Sequence, residues 1–228
     1  MRGGAMANTN QDDREIAEGM RRLGNADYLS SHIKEPLKVT ITSLLGKDAI
    51  LFSAAIDLIL PLIFTHIDLL GYLYKGENKS VHAVEFIRVY LGRVDQRYKE
   101  VGGLLYHALR HGMVHLATPK RIKLKDGRML DFSFQRSGQR KDYLKITRYP
   151  EESVPSPIIY IYRLSLDILL LYQDLLSAID EYAKDIGVNH ELSDVFTEAF
   201  IARRKPEEEQ GLPKEYNQDL DFIYDLLG

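Results

Sequence analysis

Residues 49–73 are almost continuously apolar, and this run constrains the fold more than any other feature of the chain. Such a stretch has to be buried in lipid or in a protein core, because leaving it in water forgoes the main favourable term in folding. It is long enough to span a bilayer. It also carries Asp57, His66 and Asp68, with Pro61 inside it. A charge near the middle of a lipid-embedded helix costs about 2.5–3.5 kcal/mol. The expectation is therefore the central helix of a globular bundle over residues 47–75. A kink is expected near Pro61, where proline removes a donor and clashes with the preceding turn. No membrane association is expected.

The rest of the 228-residue chain agrees with a folded domain, at 45% hydrophobic and 28% charged. With no cysteine, disulfide frameworks, thiolate metal sites and Cys nucleophiles are excluded. That usage fits a reducing compartment, and a cytoplasmic location is expected. Residues 1–6 are Gly-rich and lack an apolar segment, so no targeting signal is expected. The net charge of −3 gives no global basicity of the kind that marks nucleic-acid binders, but it hides an asymmetry. Lys120 to Arg148 holds ten Lys/Arg against three Asp/Glu, and Glu191 to Asp225 holds ten acidic residues against four basic ones. Both can be plain solvated surface, or the basic middle can dock on the acidic end.

Residues 1–10 read as disordered or tag-like, and 12–23 as a short amphipathic helix. Residues 37–45 are apolar and Thr-rich without a decisive pattern. Residues 76–79 form a turn, after which Ser80 is expected to cap a helix to about Leu91. Gly102-Gly103 marks the expected start of the next helix, which runs to about Ala117 and stops at Pro119. The period then changes. Residues 121–125 and 129–134 alternate, with Asp126-Gly127 between them as a two-residue hairpin signal, and 143–147 is a third strand. Pro150, Pro155 and Pro157 make a stiff linker, and 158–186 reads as one long helix. A helix over 193–204, a charged turn at 207–211 and an amphipathic piece over 216–227 complete the chain. The fold class is mainly α (α+β), a helical bundle with a small antiparallel sheet inserted at about 120–148. Residues 11–228 form one domain with an acidic helical segment at about 190–228.

The chemistry concentrates in residues 104–115. His107, His111 and His115 are spaced by four, so they form one stripe on a helix. On the wheel Val101, Leu105, Ala108 and Gly112 are the apolar centre, His115 lies at its edge and Arg110 points to the polar side. Gly112 costs about 1 kcal/mol against Ala in a helix, and is tolerated where another backbone comes close. Two chemistries fit. A metal site would use the i, i+4 histidines, but no His-Glu-x-x-His pattern is present, and a third ligand such as Asp68 or His66 would be needed. Acid–base work suits histidine near neutrality, and an adjacent Arg suits a phosphate. No metal and no cofactor are expected. The chain has no P-loop, dinucleotide fingerprint or G-x-S-x-G.

Arg110-His111-Gly112-Met113-Val114-His115 resembles the R-x4–6-H motif of HEPN domains, with the polar residue these often carry directly after the Arg. The lead-in Leu104-Leu105-Tyr106 is similar too, as is the helix ending soon after the His. The resemblance covers about residues 48–185 and implies a helical bundle that acts as a metal-independent endoribonuclease. In that chemistry the RNA 2′-OH attacks the adjacent phosphate, leaving a 2′,3′-cyclic phosphate. The family usually works as a dimer with both motifs facing one cleft. Carried over, His115 transfers the proton, Arg110 holds the scissile phosphate and His111 is the auxiliary polar residue. Lys120, Arg121, Lys123, Arg136 and Arg140 would track the RNA backbone. Phe132, Phe134, Tyr143 and Tyr149 are near enough to stack bases, although alternation places the two Phe in the core. The implied partners are RNA, a second copy, and an antitoxin or regulatory protein, in defence or stress. Two departures stand out. Ala117 occupies the position where some HEPN toxins carry an AMPylated Tyr, and the β insertion lies outside the minimal domain.

Two other functions fit the same residues. One is a non-catalytic HEPN-like module binding RNA, nucleotide or protein. The other is a structural helical dimer in which His115 is a satisfied core histidine, His107 is surface, and Arg110 pairs with a carboxylate such as Asp68 or Asp167.

Overall fold

The apolar run forms one uninterrupted helix, α2 (Ala49–Lys75), which continues through Pro61. Ile59, Leu60, Ile63, Phe64, Ile67, Leu70 and Leu73 are buried at helical spacing, so one side of α2 is the centre of the core. By length and composition its stretch Ala55–Lys75 is apolar enough to cross a bilayer, and half of that window is buried inside the protein. The computed structural model describes residues 24–45, 49–116, 118–136, 138–148 and 160–205. The expected helix over 12–23, the proline-rich linker and the pieces after residue 205 lie outside these.

Among the described residues five more helices surround α2. Residues 25–44 form α1, so the undecided segment after Leu37 is helical. Helix α3 spans 80–94 and α4 spans 97–116, each containing one π-helical turn, at Ile87–Leu91 and Tyr106–Arg110. Helices α5 (Ile168–Val188) and α6 (His190–Arg204) close the bundle. Two expected boundaries are corrected. The N-cap of α3 is Lys79 rather than Ser80, and no side chain caps it. Helix α4 starts at Arg97, so Gly102 and Gly103 lie inside it. A side chain at Gly102 would meet Ile87 Cγ2 at 2.7 Å, which makes this glycine a point of helix contact and not a boundary.

The sheet is the larger correction. Among the described residues it has four strands in the order β1-β2-β4-β3, with β1 Ile122–Lys123, β2 Met129–Gln135, β3 Lys145–Arg148 and β4 Tyr160–Asp167. β2 and β4 are parallel, so the sheet is mixed and not antiparallel. The expected helix over 158–186 is thus a strand followed by a helix. In β4, Tyr162, Leu164 and Leu166 alternate with Arg163, Ser165 and Asp167, a period-two pattern that merges into the apolar start of α5. Asp167 marks the boundary: its carboxylate accepts from the backbone of Leu169 and Leu170 as the N-cap of α5. Its other oxygen accepts from Gly138 N at 2.7 Å, which ties the loop after β2 to the same point. The β1–β2 turn closes as three residues, Lys125–Gly127, through bonds between Leu124 and Arg128 and from Gly127 to Leu124. Gly127 has φ +87°, which suits the left-handed end of such a loop.

A buried polar cluster fastens the sheet to the bundle. Arg140, on the 3-10 turn Arg140–Asp142, makes a two-pronged contact to Asp174 of α5, whose side chain is 1% exposed. The Tyr98 hydroxyl donates to the same carboxylate at 2.9 Å and meets the Tyr143 hydroxyl at 2.5 Å. Burial is the main reason both phenols resist ionisation, with Asp174 adding to it. The Asp95–Arg97 pair adds Arg97 to the Tyr143 carbonyl. Asp174, Tyr98 and Tyr143 are buried and each is hydrogen-bonded within the cluster, which is the condition under which a buried charge is tolerated, while Arg97 and Arg140 keep one side in solvent.

Candidate functional site at the end of helix α4

The His- and Arg-bearing segment lies where α4 changes pitch. The π-helical turn Tyr106–Arg110 puts an extra residue into one turn, so the strict 3.6 wheel no longer holds. Tyr106, Ala108 and Leu109 are all buried, and so are Gly112 and Met113 beyond them. Arg110 is turned towards α2. Its Nε donates to Asp68 Oδ2 at 3.0 Å, and the Tyr106 hydroxyl donates to Asp68 Oδ1 at 2.5 Å. One carboxylate thus receives a bond from each of two α4 side chains one turn apart.

This pair is neither surface nor core. The Arg110 side chain is 28% exposed and that of Asp68 23%. The hydrogen bond to Asp68 raises the Arg110 pKa further above its ordinary value. Burial, with the Asp68 bond second, pushes the Tyr106 phenol up to about 12, so it stays a donor at neutral pH. His111 is half-buried, its ring edge-on to Tyr106 at 6.1 Å and 5.4 Å from the ring of exposed His107. His115 lies in the last turn of α4 on the same helix, and its side chain is outside the described residues.

Gly112 is where the chain folds back on itself. A Cβ there would stand 2.4 Å from Lys120 N and 2.4 Å from Thr118 O. The backbone approach inferred from a glycine on a buried helix face is therefore present. Lys120 N donates to Ala108 O at 2.9 Å, which holds the returning strand against the π-turn. The exposed side chains of Lys120, Arg121 and Lys123 follow directly after α4. Arg136 is exposed at the far end of β2, and Arg140 is committed to Asp174 and Asp95. Of the five basic residues, three therefore start beside the Arg110 helix, while Arg140 fastens the sheet. Phe132 and Tyr143 are buried and Phe134 half-buried in the core, so none of these three is a base-stacking surface. Tyr149 lies outside the described residues.

Asp68 also borders an open cleft of about 400 Å³, lined by Leu69 and Tyr72 of α2, Asn78 of the α2–α3 turn and Arg203 of α6. The sequence reading missed this cleft because Arg203 sits within a segment whose overall charge is acidic. The signal available was the doublet Arg203-Arg204 at the end of a helix. Among the described residues no three His, Asp or Glu side chains gather as a metal site requires. Asp68, which the metal alternative invoked, is engaged by Arg110 and Tyr106. Among the described residues the insert's Arg140 pairs with Asp95 and Asp174 and not with the acidic end. No family model, curated protein or solved structure matches this chain.

Proposed function

We propose that this protein is a metal-independent endoribonuclease of the HEPN type, acting in the cytoplasm as a homodimer, with Arg110 and His115 as its working pair. The observation that carries the proposal is the partly exposed Arg110, held by Asp68, a carboxylate that itself borders an open cleft. A guanidinium oriented in advance by a carboxylate stabilises charge developing on a phosphate without reorganising during the reaction. In the reaction His115 takes the 2′-OH proton as the oxygen attacks phosphorus, and the 5′-oxygen leaves as the P–O bond breaks, taking up a proton from water. The products are a 2′,3′-cyclic phosphate and a 5′-hydroxyl, and His111 assists as a polar neighbour. The basic residues Lys120, Arg121 and Lys123 support the RNA reading by extending positive charge away from the motif. An antitoxin or regulatory partner, in a defence or stress setting, belongs to the same proposal.

The test is RNA cleavage by purified protein in EDTA, comparing wild type with Arg110→Ala and His115→Ala. Cleavage by wild type with cyclic phosphate ends, no cutting of DNA, and loss in both variants is the expected result. Wild type that cuts no RNA while remaining folded and dimeric overturns it.

One observation favours a second reading. Arg110, Asp68 and Tyr106 join α4 to α2, which is what a structural clamp between helices looks like. Under that reading Arg110→Ala lowers stability and changes no activity.

A further inference from the structure

We propose that the cleft between α2 and α6 binds a phosphate of the RNA strand next to the one at Arg110, with Arg203 and Asn78 as its donors. This inference rests on the ribonuclease reading and extends it to residues that the motif does not contain. The cleft, at about 400 Å³, is within the range of small-ligand sites. Its charge balance is the central point. Asp68 is the carboxylate in its lining, and it is engaged by the Arg110 guanidinium and the Tyr106 hydroxyl. Among the described residues Arg203 makes no ion pair, and it brings a cation to the cleft lining beside the already engaged Asp68.

The remaining lining suits a nucleotide. Asn78 is exposed on the turn after α2 and supplies an amide donor. Tyr72 and Leu69 give an apolar wall, and the Tyr72 hydroxyl is fixed by donation to Ala199 O at 2.9 Å. A ring held this way presents a flat face at little conformational cost, which is how proteins take unpaired bases. The positive field of Arg203 also reaches across to α2, where it adds to burial in holding the His66 pKa down. Asp68 belongs to both places: it orients Arg110 on one side and borders the cleft on the other. A strand lying over Asp68 would then pass from Arg110 to Arg203.

The experiment measures binding of a labelled 2′-O-methyl RNA oligonucleotide to the full-length protein by fluorescence anisotropy. This probe has no free 2′-OH, so it reports binding without cleavage. Arg203→Ala is expected to weaken binding about tenfold and to reduce the salt dependence by about one phosphate contact. Asn78→Ala is expected to weaken it less. Arg204→Ala is the control, because Arg204 lies over the Phe200 ring at 5.5 Å and outside the cleft lining, and it is expected to bind as wild type does. Arg203→Ala binding as tightly as wild type overturns the proposal, as does a wild type that binds no oligonucleotide. Binding that depends on Arg203 in a protein that cuts no RNA keeps the cleft and removes the ribonuclease reading instead. Complete displacement of the oligonucleotide by a free mononucleotide overturns the strand form of the proposal, because the cleft is then a mononucleotide site.

Discussion

Arg110 meets Asp68 through Nε at 3.0 Å, and this contact joins the end of α4 to the second half of α2. Because both side chains are partly exposed, the pair's contribution lies between that of a surface ion pair and a buried one. Asp68→Asn keeps the shape and removes the charge. The expected outcome is a stability loss of about 1 kcal/mol in urea unfolding. RNA cleavage per folded molecule is expected to fall about tenfold or more, equivalent to about 1.4 kcal/mol of transition-state stabilisation. Lost stability with unchanged cleavage identifies Asp68 as a helix clamp only.

Gly112→Ala separates helix propensity from packing. Propensity alone predicts a gain of about 1 kcal/mol. The added methyl meets backbone atoms of Thr118 and Lys120 at 2.4 Å, and neither is the flexible end of a side chain. The expected result is a net destabilisation of about 1–3 kcal/mol, typical of overpacking. An unchanged or raised melting temperature excludes the close approach described for this turn.

Arg140→Ala tests the fastening of the sheet. It leaves the Asp174 carboxylate buried with only the Tyr98 hydroxyl of the contacts described above. Because Arg140 is 44% exposed while Asp174 is buried, the loss is expected to be about 1–3 kcal/mol, below that for a fully buried pair. Arg140→Met with Asp174→Leu is expected to recover much of that loss, since a buried ion pair can be replaced by apolar packing. A single variant as stable as wild type means that the cluster holds nothing together.

His66 makes stability depend on pH. Its ring is held by the Leu62 carbonyl at 2.8 Å, and burial, aided by Arg203, lowers its pKa below 6.5. Below that value the unfolded chain takes up a proton that the folded chain refuses. Stability is therefore highest above pH 6.5, falls as pH drops through the window below it, and levels off under the folded-state pKa. Urea titrations at a series of pH values show this as a slope, and His66→Gln is expected to flatten it. A slope of the same size in the variant assigns it to other groups.

Where one pattern dominated, the fold was legible in residues. The charges and Pro61 in the apolar run of α2 pointed to a core helix, one side of which is buried, and Gly112 pointed to a backbone that does come close. Three of the elements that were read differently show the physical reason. Gly102-Gly103 looked like a boundary, but there the small residue serves the contact of α4 with Ile87. β4 was hidden because its alternation runs straight into the leucines of α5, and the cap at Asp167 was the signal that divides them. The parallel pairing of β2 with β4 depends on partners distant in the chain, which local periodicity does not encode. At the candidate site the Arg110–Asp68 contact was foreseeable as one of two carboxylate partners. The cleft was not, because it forms from a turn and two helices whose ends meet only in the folded chain.

The parallel pair also sets the order in which the molecule can be built. Ser133 and Ser165 face each other across it from positions 32 apart in the chain. During synthesis the basic hairpin of β1 and β2 emerges first and has no central neighbour until residues 160–167 arrive. Asp167 then ends the last strand and starts α5, so the closing of the sheet and the first turn of that helix are one event. A chain halted before residue 160 leaves the hairpin with an open strand edge, the kind of surface on which nascent chains aggregate.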